Sequence, residues 1–298
     1  MRNLRTLVIV TGCVLTATAS ARAWHDPGHA KATSTAVAAC RAKLPGFFGA
    51  GAATIAHCAL DPDAFTRPIA PPELHSAEAP EHYFDIELLQ GTDVPPDRYA
   101  FIALCAAKQI PPPKIGLLPY AVAEWTQRLT VTFAEHRKWP NDPHIRAKCL
   151  VYAGLLAHYA QDLCQPLHTT IHYDGRAQAD GSSPRSGIHL KVDALLHKPS
   201  IDVNELAALK PDRFEDLHAA VLAEFGRSHA LVERVYELEQ QLPEMAAPLA
   251  PAGEVERFAA ERLTAAATFT ASLYLSAWEN SKSIVLPEWH QRPPTASK

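Results

Sequence analysis

The chain has 298 residues, with 28 Lys+Arg against 32 Asp+Glu, 47% hydrophobic and 20% charged residues. That balance excludes a largely disordered chain and a fibrous repeat, and the length suits one large domain or two small ones. Glycine is scarce (13) and proline abundant (25), which predicts stiff connections between packed elements.

Residues 1–23 read as an export signal. Arg2 and Arg5 precede a short apolar core from Leu7 to Leu15, and Ala21-Arg22-Ala23 supplies the small residues of a cleavage site. The apolar stretch falls short of the roughly 20 residues that span a bilayer. A secreted or periplasmic protein beginning at Trp24 is expected. Cleavage removes three Arg and no acid, leaving 25 basic against 32 acidic residues, about −7. Such a chain does not hold a polyanion by bulk attraction, so phosphate chemistry would rest on bound cations. Five Cys remain (Cys40, Cys58, Cys105, Cys149, Cys164), an odd count that leaves at least one free thiol. No CxxC pair is present, which argues against a thiolate zinc site.

In chain order, residues 26–60 read as helical, with alanine-rich periodicity from Lys31 to Leu44, and a proline-punctuated stretch follows from Asp61 to Pro80. His82 to Leu89 reads as a strand or as the first turn of a helix. Helices are predicted over Asp97–Gln109, Leu118–His136 and His144–Leu163, the last stopped by Pro166. Asp174 to Gly187 is a polar loop. Further helices are predicted over Ile188–His197, Arg213–Gln241 and Val255–Ser281. The pattern is that of one all-α domain over residues 24–285, with a disordered tail over 286–298.

The chemistry concentrates at His158-Tyr159-Ala160-Gln161-Asp162-Leu163-Cys164-Gln165-Pro166-Leu167-His168. His158 and Asp162 are four apart and share one helix face. Their neighbours are apolar, so burying them demands a partner, and a divalent cation serves well. Alone, the pair reads equally well as a hydrogen-bonded core pair. His189 and Asp193 repeat the spacing, and His168 adds a third imidazole; His172 competes with His168. Upstream lie Asp61-Pro62-Asp63 and Glu81-His82-Tyr83-Phe84-Asp85. The mature terminus would read Trp24-His25-Asp26-Pro27-Gly28-His29, whose free amino group can coordinate a metal together with its own carbonyl oxygen. Cys164, beside this helix, reads as a packed thiol.

These residues together resemble the zinc-dependent phospholipase C / S-one/P-one type single-strand nuclease superfamily, in an order spanning Trp24 to Asp193. The resemblance implies an all-α, phospholipase C/P-one nuclease-like fold with a cleft holding three Zn2+ ions. One zinc would take Asp63, His82, His158 and Asp162. A second would take the Trp24 amino and carbonyl groups, His29 and the shared Asp162. The third would take His168, His189 and Asp193. Asp61 is the alternative to Asp63, and His25 the alternative to His29. Asp85 is expected to orient a ligand histidine. Arg67, Tyr83 and Tyr173 are candidates for contacting substrate, although the nucleases carry their Arg one residue earlier, where Thr66 stands here. Asp193 matches the nucleases, whereas the bacterial phospholipases typically carry Glu there. The expected activity is therefore hydrolysis of single-stranded DNA or RNA, with phosphatidylcholine-like lipids as the alternative substrate and a non-catalytic zinc-stabilised binding protein as the third reading. No stable protein partner is indicated.

Overall fold

A computed structural model describes residues 26–178, 181–199 and 208–291. The described residues are mostly helical and form no strand; only two isolated bridges occur, Phe84 with Gly116 and Tyr173 with Gly175. In order, the helices are α1 (Asp26–Cys40), α2 (Gly46–Ala50), α3 (Ala52–Cys58), α4 (Asp61–Phe65), α5 (Pro72–Glu78), α6 (Arg98–Lys108), α7 (Pro112–Ile115), α8 (Leu118–Lys138), α9 (Pro143–Asp162), α10 (Ile188–Asp193), α11 (Leu217–His229), α12 (Val232–Leu238) and α13 (Glu254–Asn280). No described helix is long and apolar enough to cross a membrane.

Side-chain caps mark several starts. Asp142 accepts from the His144 and Ile145 N–H groups at the head of α9, with Pro143 in the first turn, where a missing N–H costs nothing. Asp97 and Asp216 cap α6 and α11 in the same way. The Asp216 cap is why the segment expected as a helix over Arg213–Gln241 begins only at Leu217. It also breaks at Ala230, where the Leu231 N–H bonds the Ser228 carbonyl in a tightened turn. Likewise 26–60 divides into α1 and α2 at a 3-10 turn (Arg41–Lys43) followed by Pro45, and into α2 and α3 at Gly51. The stretch 61–80 contains α4 and α5, each with Pro in its first turn. The segment 82–89 is neither strand nor α-helix: Phe84 bridges Gly116, and Ile86–Leu89 is a 3-10 turn. The helix expected over Ile188–His197 ends at Asp193.

The long helices α8, α9 and α13 pack with α1 and α3 around one core. Phe48, Phe133 and Tyr274 fill it, while alanines on α1 (Ala32, Ala36) and α13 (Ala259, Ala266, Ala267) let the helices approach closely. Gly154 on α9 is such a point: a Cβ there would lie 2.7 Å from the Ile55 carbonyl oxygen and 2.5 Å from Cys58 Cβ. The absence of a side chain brings the end of α3 against the middle of α9, one turn before His158. Gly116, at φ +100°, does the same for the segment after His82, since a Cβ would fall 2.0 Å from the Tyr83 carbonyl oxygen. All five described cysteines are buried free thiols, and burial raises those of Cys40 and Cys149 to about 12. Of the C-terminal segment, His290 bonds Glu135 on α8 through Nε2 at 2.7 Å, and residues 292–298 lie outside the described residues.

Candidate metal centre

The packing delivers eight side chains from distant points to one buried cluster. His29 comes from the first turns of α1, Asp63 from α4, and His82 from the 3-10 turn after α5. His158 and Asp162 come from the last turns of α9, His168 from the turn that follows it, and His189 and Asp193 from α10. All are buried, with Asp162, His158 and His29 at zero exposure.

They form three groups that could each hold a metal ion: His29, His158 and Asp162; Asp63, His82 and His158; and His168, His189 and Asp193. Within each group the ligand atoms lie within 4.8 Å of one another. Asp162 is the hub. Its carboxylate oxygens lie 3.5 Å from His29 Nε2, 3.0 Å from His82 Nδ1 and 3.3 Å from His158 Nε2. Asp193 Oδ2 lies 3.2 Å from His189 Nε2, and Asp193 Oδ1 accepts from Gln165 Nε2 at 2.7 Å.

Four imidazoles are held by their outer nitrogens. His29 Nδ1 donates to the Gln161 side-chain oxygen (2.8 Å), His158 Nδ1 to the Ala59 carbonyl (2.8 Å), His168 Nδ1 to the His82 carbonyl (2.5 Å) and His189 Nδ1 to the Tyr173 carbonyl (3.2 Å). A carbonyl oxygen only accepts, so each Nδ1 carries the proton and each Nε2 faces the cluster with its lone pair available. Gln161 is itself steered by its Nε2 donating to Thr33 Oγ1 at 2.8 Å. This is the outer-shell arrangement that fixes a metal-binding tautomer.

A cation fits what the donors lack. His29 Nε2, Asp162 Oδ1 and Asp193 Oδ2 are buried, face the cluster and have no hydrogen-bond partner. A buried polar group left in that state costs about 1–3 kcal/mol. Ring nitrogens also face each other closely: His158 Nε2 and His82 Nδ1 at 3.0 Å, His168 Nε2 and His189 Nε2 at 3.2 Å. Without a cation, protons take its place. Burial opposes charge on His158, but Asp162 and Asp63 outweigh it and hold the imidazole up to about 9. Burial also opposes charge on Asp162, yet the surrounding imidazoles keep its carboxylate well below the ordinary range. His29, where burial and the neighbouring His158 act together, is pushed well down and stays neutral. Burial raises the Asp63 carboxyl.

Most residues singled out in the sequence meet here, and others do not. Asp63, not the half-buried Asp61, enters a group, and so does His168 rather than His172, whose Nδ1 accepts from the Ala177 N–H. Trp24 and His25 lie outside the described residues; His29 is in the cluster. The orienting role expected of Asp85 belongs to backbone carbonyls and Gln161. Among the described contacts Asp85 bonds no imidazole, and its carboxyl is raised to about 8 by burial and the charge of Glu87. Arg67 is tied to Asp26 at 2.5 Å, which anchors the start of α1 beside α4. Tyr83 donates its hydroxyl to the Pro113 carbonyl at 2.5 Å, and the Tyr173 ring stands edge-on to His189 at 6.1 Å. The Cys164 thiol lies 3.5 Å from Glu224 and is pushed far up by burial, which disfavours the thiolate.

Sequence reasoning assigned no role to Gln161, Gln165 or Ala59. The signal for the glutamines was present, since two amides flank Asp162 in an otherwise apolar helix end, and buried amides need partners. Ala59 carried none, because it acts through its carbonyl. No protein-family model matches the chain, and no curated protein or solved structure matches it either.

Proposed function

We propose that this chain is an exported zinc-dependent phosphodiesterase that hydrolyses single-stranded nucleic acid. The observation that carries the reading is the joining of three buried His/Asp groups, two of them through Asp162 and His158, with unpartnered nitrogen and oxygen atoms inside. The donor set is nitrogen and carboxylate oxygen without thiolate, which zinc accepts. Two ligands about 2.0–2.1 Å from one tetrahedral zinc stand roughly 3.3–3.4 Å apart. The contacts of Asp162 with His29 and His158, at 3.5 and 3.3 Å, suit that spacing.

Zinc held by these residues would supply a Lewis acid for phosphate oxygens and a water whose pKa is lowered to about 7. The protein's own contribution is positional. Asp162 offers one oxygen to each of two neighbouring groups, and His29, His158, His168 and His189 are turned inward by their Nδ1 bonds. The Trp24 amino group, two residues before α1, is proposed to complete the His29 group once the signal is removed. Asp193, rather than Glu, favours a nuclease over a phospholipase C through the resemblance alone. Tyr83 and Tyr173 flank ligand histidines and offer faces on which bases stack, each worth about 1–3 kcal/mol.

The test is metal content, together with hydrolysis of single-stranded DNA, RNA and phosphatidylcholine, by protein processed after Ala23. Three zinc ions and cleavage of the nucleic acids are expected. Cleavage of the lipid alone would transfer the reading to a phospholipase C, and fewer than two ions would end it. A residue added before Trp24 is expected to abolish most activity. Full activity and full zinc content in that extended protein would remove Trp24 from the ligand set.

A further inference from the structure

His82 is the one imidazole of the cluster whose orientation the carbonyl bonds do not explain. Its Nδ1 points inward, 3.0 Å from Asp162 Oδ2 and 3.0 Å from His158 Nε2, so its Nε2 points outward. That Nε2 is buried and has no hydrogen-bond partner. A neutral imidazole that presents the Nδ1 lone pair to a cation must carry its proton on Nε2. A cation makes that proton a stronger donor, and a buried donor with no acceptor is costly.

One carboxylate stands on that side. Glu78 ends α5, four residues before His82, and its Oε1 lies 3.8 Å from His82 Nε2, with the side chain largely buried. The distance is longer than a hydrogen bond by roughly 0.9 Å. The carboxylate is held from behind by Tyr159, whose hydroxyl donates to the same Oε1. Tyr159 follows His158 on α9, and its ring stands edge-on to both His82 (5.5 Å) and His158 (5.4 Å). Burial and the charge of Glu78 push its phenol far above the ordinary value, so it remains a donor.

We propose that Glu78 is the positioning residue of His82: its carboxylate accepts a hydrogen bond from Nε2–H when Nδ1 binds a cation, and Tyr159 holds the carboxylate in place. This places a carboxylate–histidine–metal unit at one corner of the cluster, while the other imidazoles rely on neutral acceptors. The inference rests on reading the cluster as a metal centre.

The experiment is a competition titration of the metal-free, processed protein with zinc against a chromophoric chelator. It is repeated for Glu78→Ala, Glu78→Gln and Tyr159→Phe, with the visible absorption of the cobalt-loaded forms as a second readout. Glu78→Ala is expected to weaken one ion about 10–100-fold and to change the cobalt spectrum, leaving the others at wild-type affinity. Glu78→Gln keeps an acceptor oxygen and is expected to lose several-fold less, and Tyr159→Phe is expected to fall between the two. Wild-type titration curves for both Glu78 variants would overturn the proposal while leaving the metal centre intact. Equal weakening of every ion with a lowered melting temperature would show a merely structural role and overturn it too. A wild-type protein that takes up no zinc or cobalt would overturn the metal reading and this inference together.

Discussion

His158 and Asp162 occupy the last turns of a 20-residue helix packed against α1, α3, α8 and α13, whereas His189 and Asp193 occupy a six-residue helix entered from a polar loop. The spacing in sequence is the same. The first pair is a hub, because Asp162 lies within 3.5 Å of three imidazoles that reach it from three elements. The second is an end point: Asp193 faces His189 closely, faces His168 at 3.9 Å, and is otherwise held by Gln165. A His-x-x-x-Asp turn therefore defines a pair of donors, and the surrounding helices decide how many ions those donors could share.

The largest effect should come from breaking the hub. Asp162→Asn removes the one charge common to two groups and is expected to cost two of the three proposed ions and at least about a hundredfold in hydrolysis, beyond the range of outer-shell changes. Asp193→Asn should cost one ion and spare the pair, as read by metal analysis after dialysis. If Asp193→Asn empties the whole cluster, the two halves are one cooperative unit and the contrast between them fails.

Gln161→Leu removes the acceptor of His29 Nδ1 and Gln165→Leu the donor to Asp193, so each is expected to weaken its own half about 10–100-fold in zinc affinity. Loss in the opposite half would contradict the assignment.

Gly154→Ala acts on the first half alone, by pushing α3 from α9 and moving the Ala59 carbonyl off His158. A destabilisation of about 1–3 kcal/mol in urea unfolding is expected, as for overpacking elsewhere. The smallest effect is electrostatic and belongs to the metal-free protein. His158 is held up to about 9 when folded, against about 6.5 when unfolded. Its stabilising contribution is therefore complete below pH 6.5 and lost as pH rises towards 9. The metal-free melting temperature should fall through that window. Zinc must displace the same proton, so uptake should release acid there, and a pH-independent melting curve would contradict the charged His158.

The all-helical class was legible because apolar residues recur at helical spacing from Leu118 to Leu163 and from Val255 to Ser281. His158 and Asp162 were legible as candidate donors because they stand among apolar neighbours that cannot bury them unpaired, whereas Asp63, His82 and His29 were assigned through the resemblance. Breaks in the helices were less so. Nothing in Ala230-Leu231 resembles a stop, and the turn there follows from contacts made elsewhere: His229 Nδ1 donates to the Thr169 carbonyl at 3.0 Å, and Val232 and Val235 enter the core.

Asp61 and Asp63 illustrate where sequence and tertiary structure divide. Both lie in the first turn of α4, and nothing local distinguishes their carboxyl groups; only the docking of α4 on α9 buries one against His82 and His158. The same holds for Asp85, which looked like an orienting carboxylate, and for Ala59 and Tyr173, which orient histidines through backbone oxygens present in every residue. Residue type and spacing are local properties, so the helical class and the inventory of candidate donors follow from the order of residues. Which donors meet, which nitrogen of each imidazole faces inward and which carboxylate is shared were decided by the tertiary structure alone, because those outcomes depend on distances between elements that close approaches such as Gly154 set.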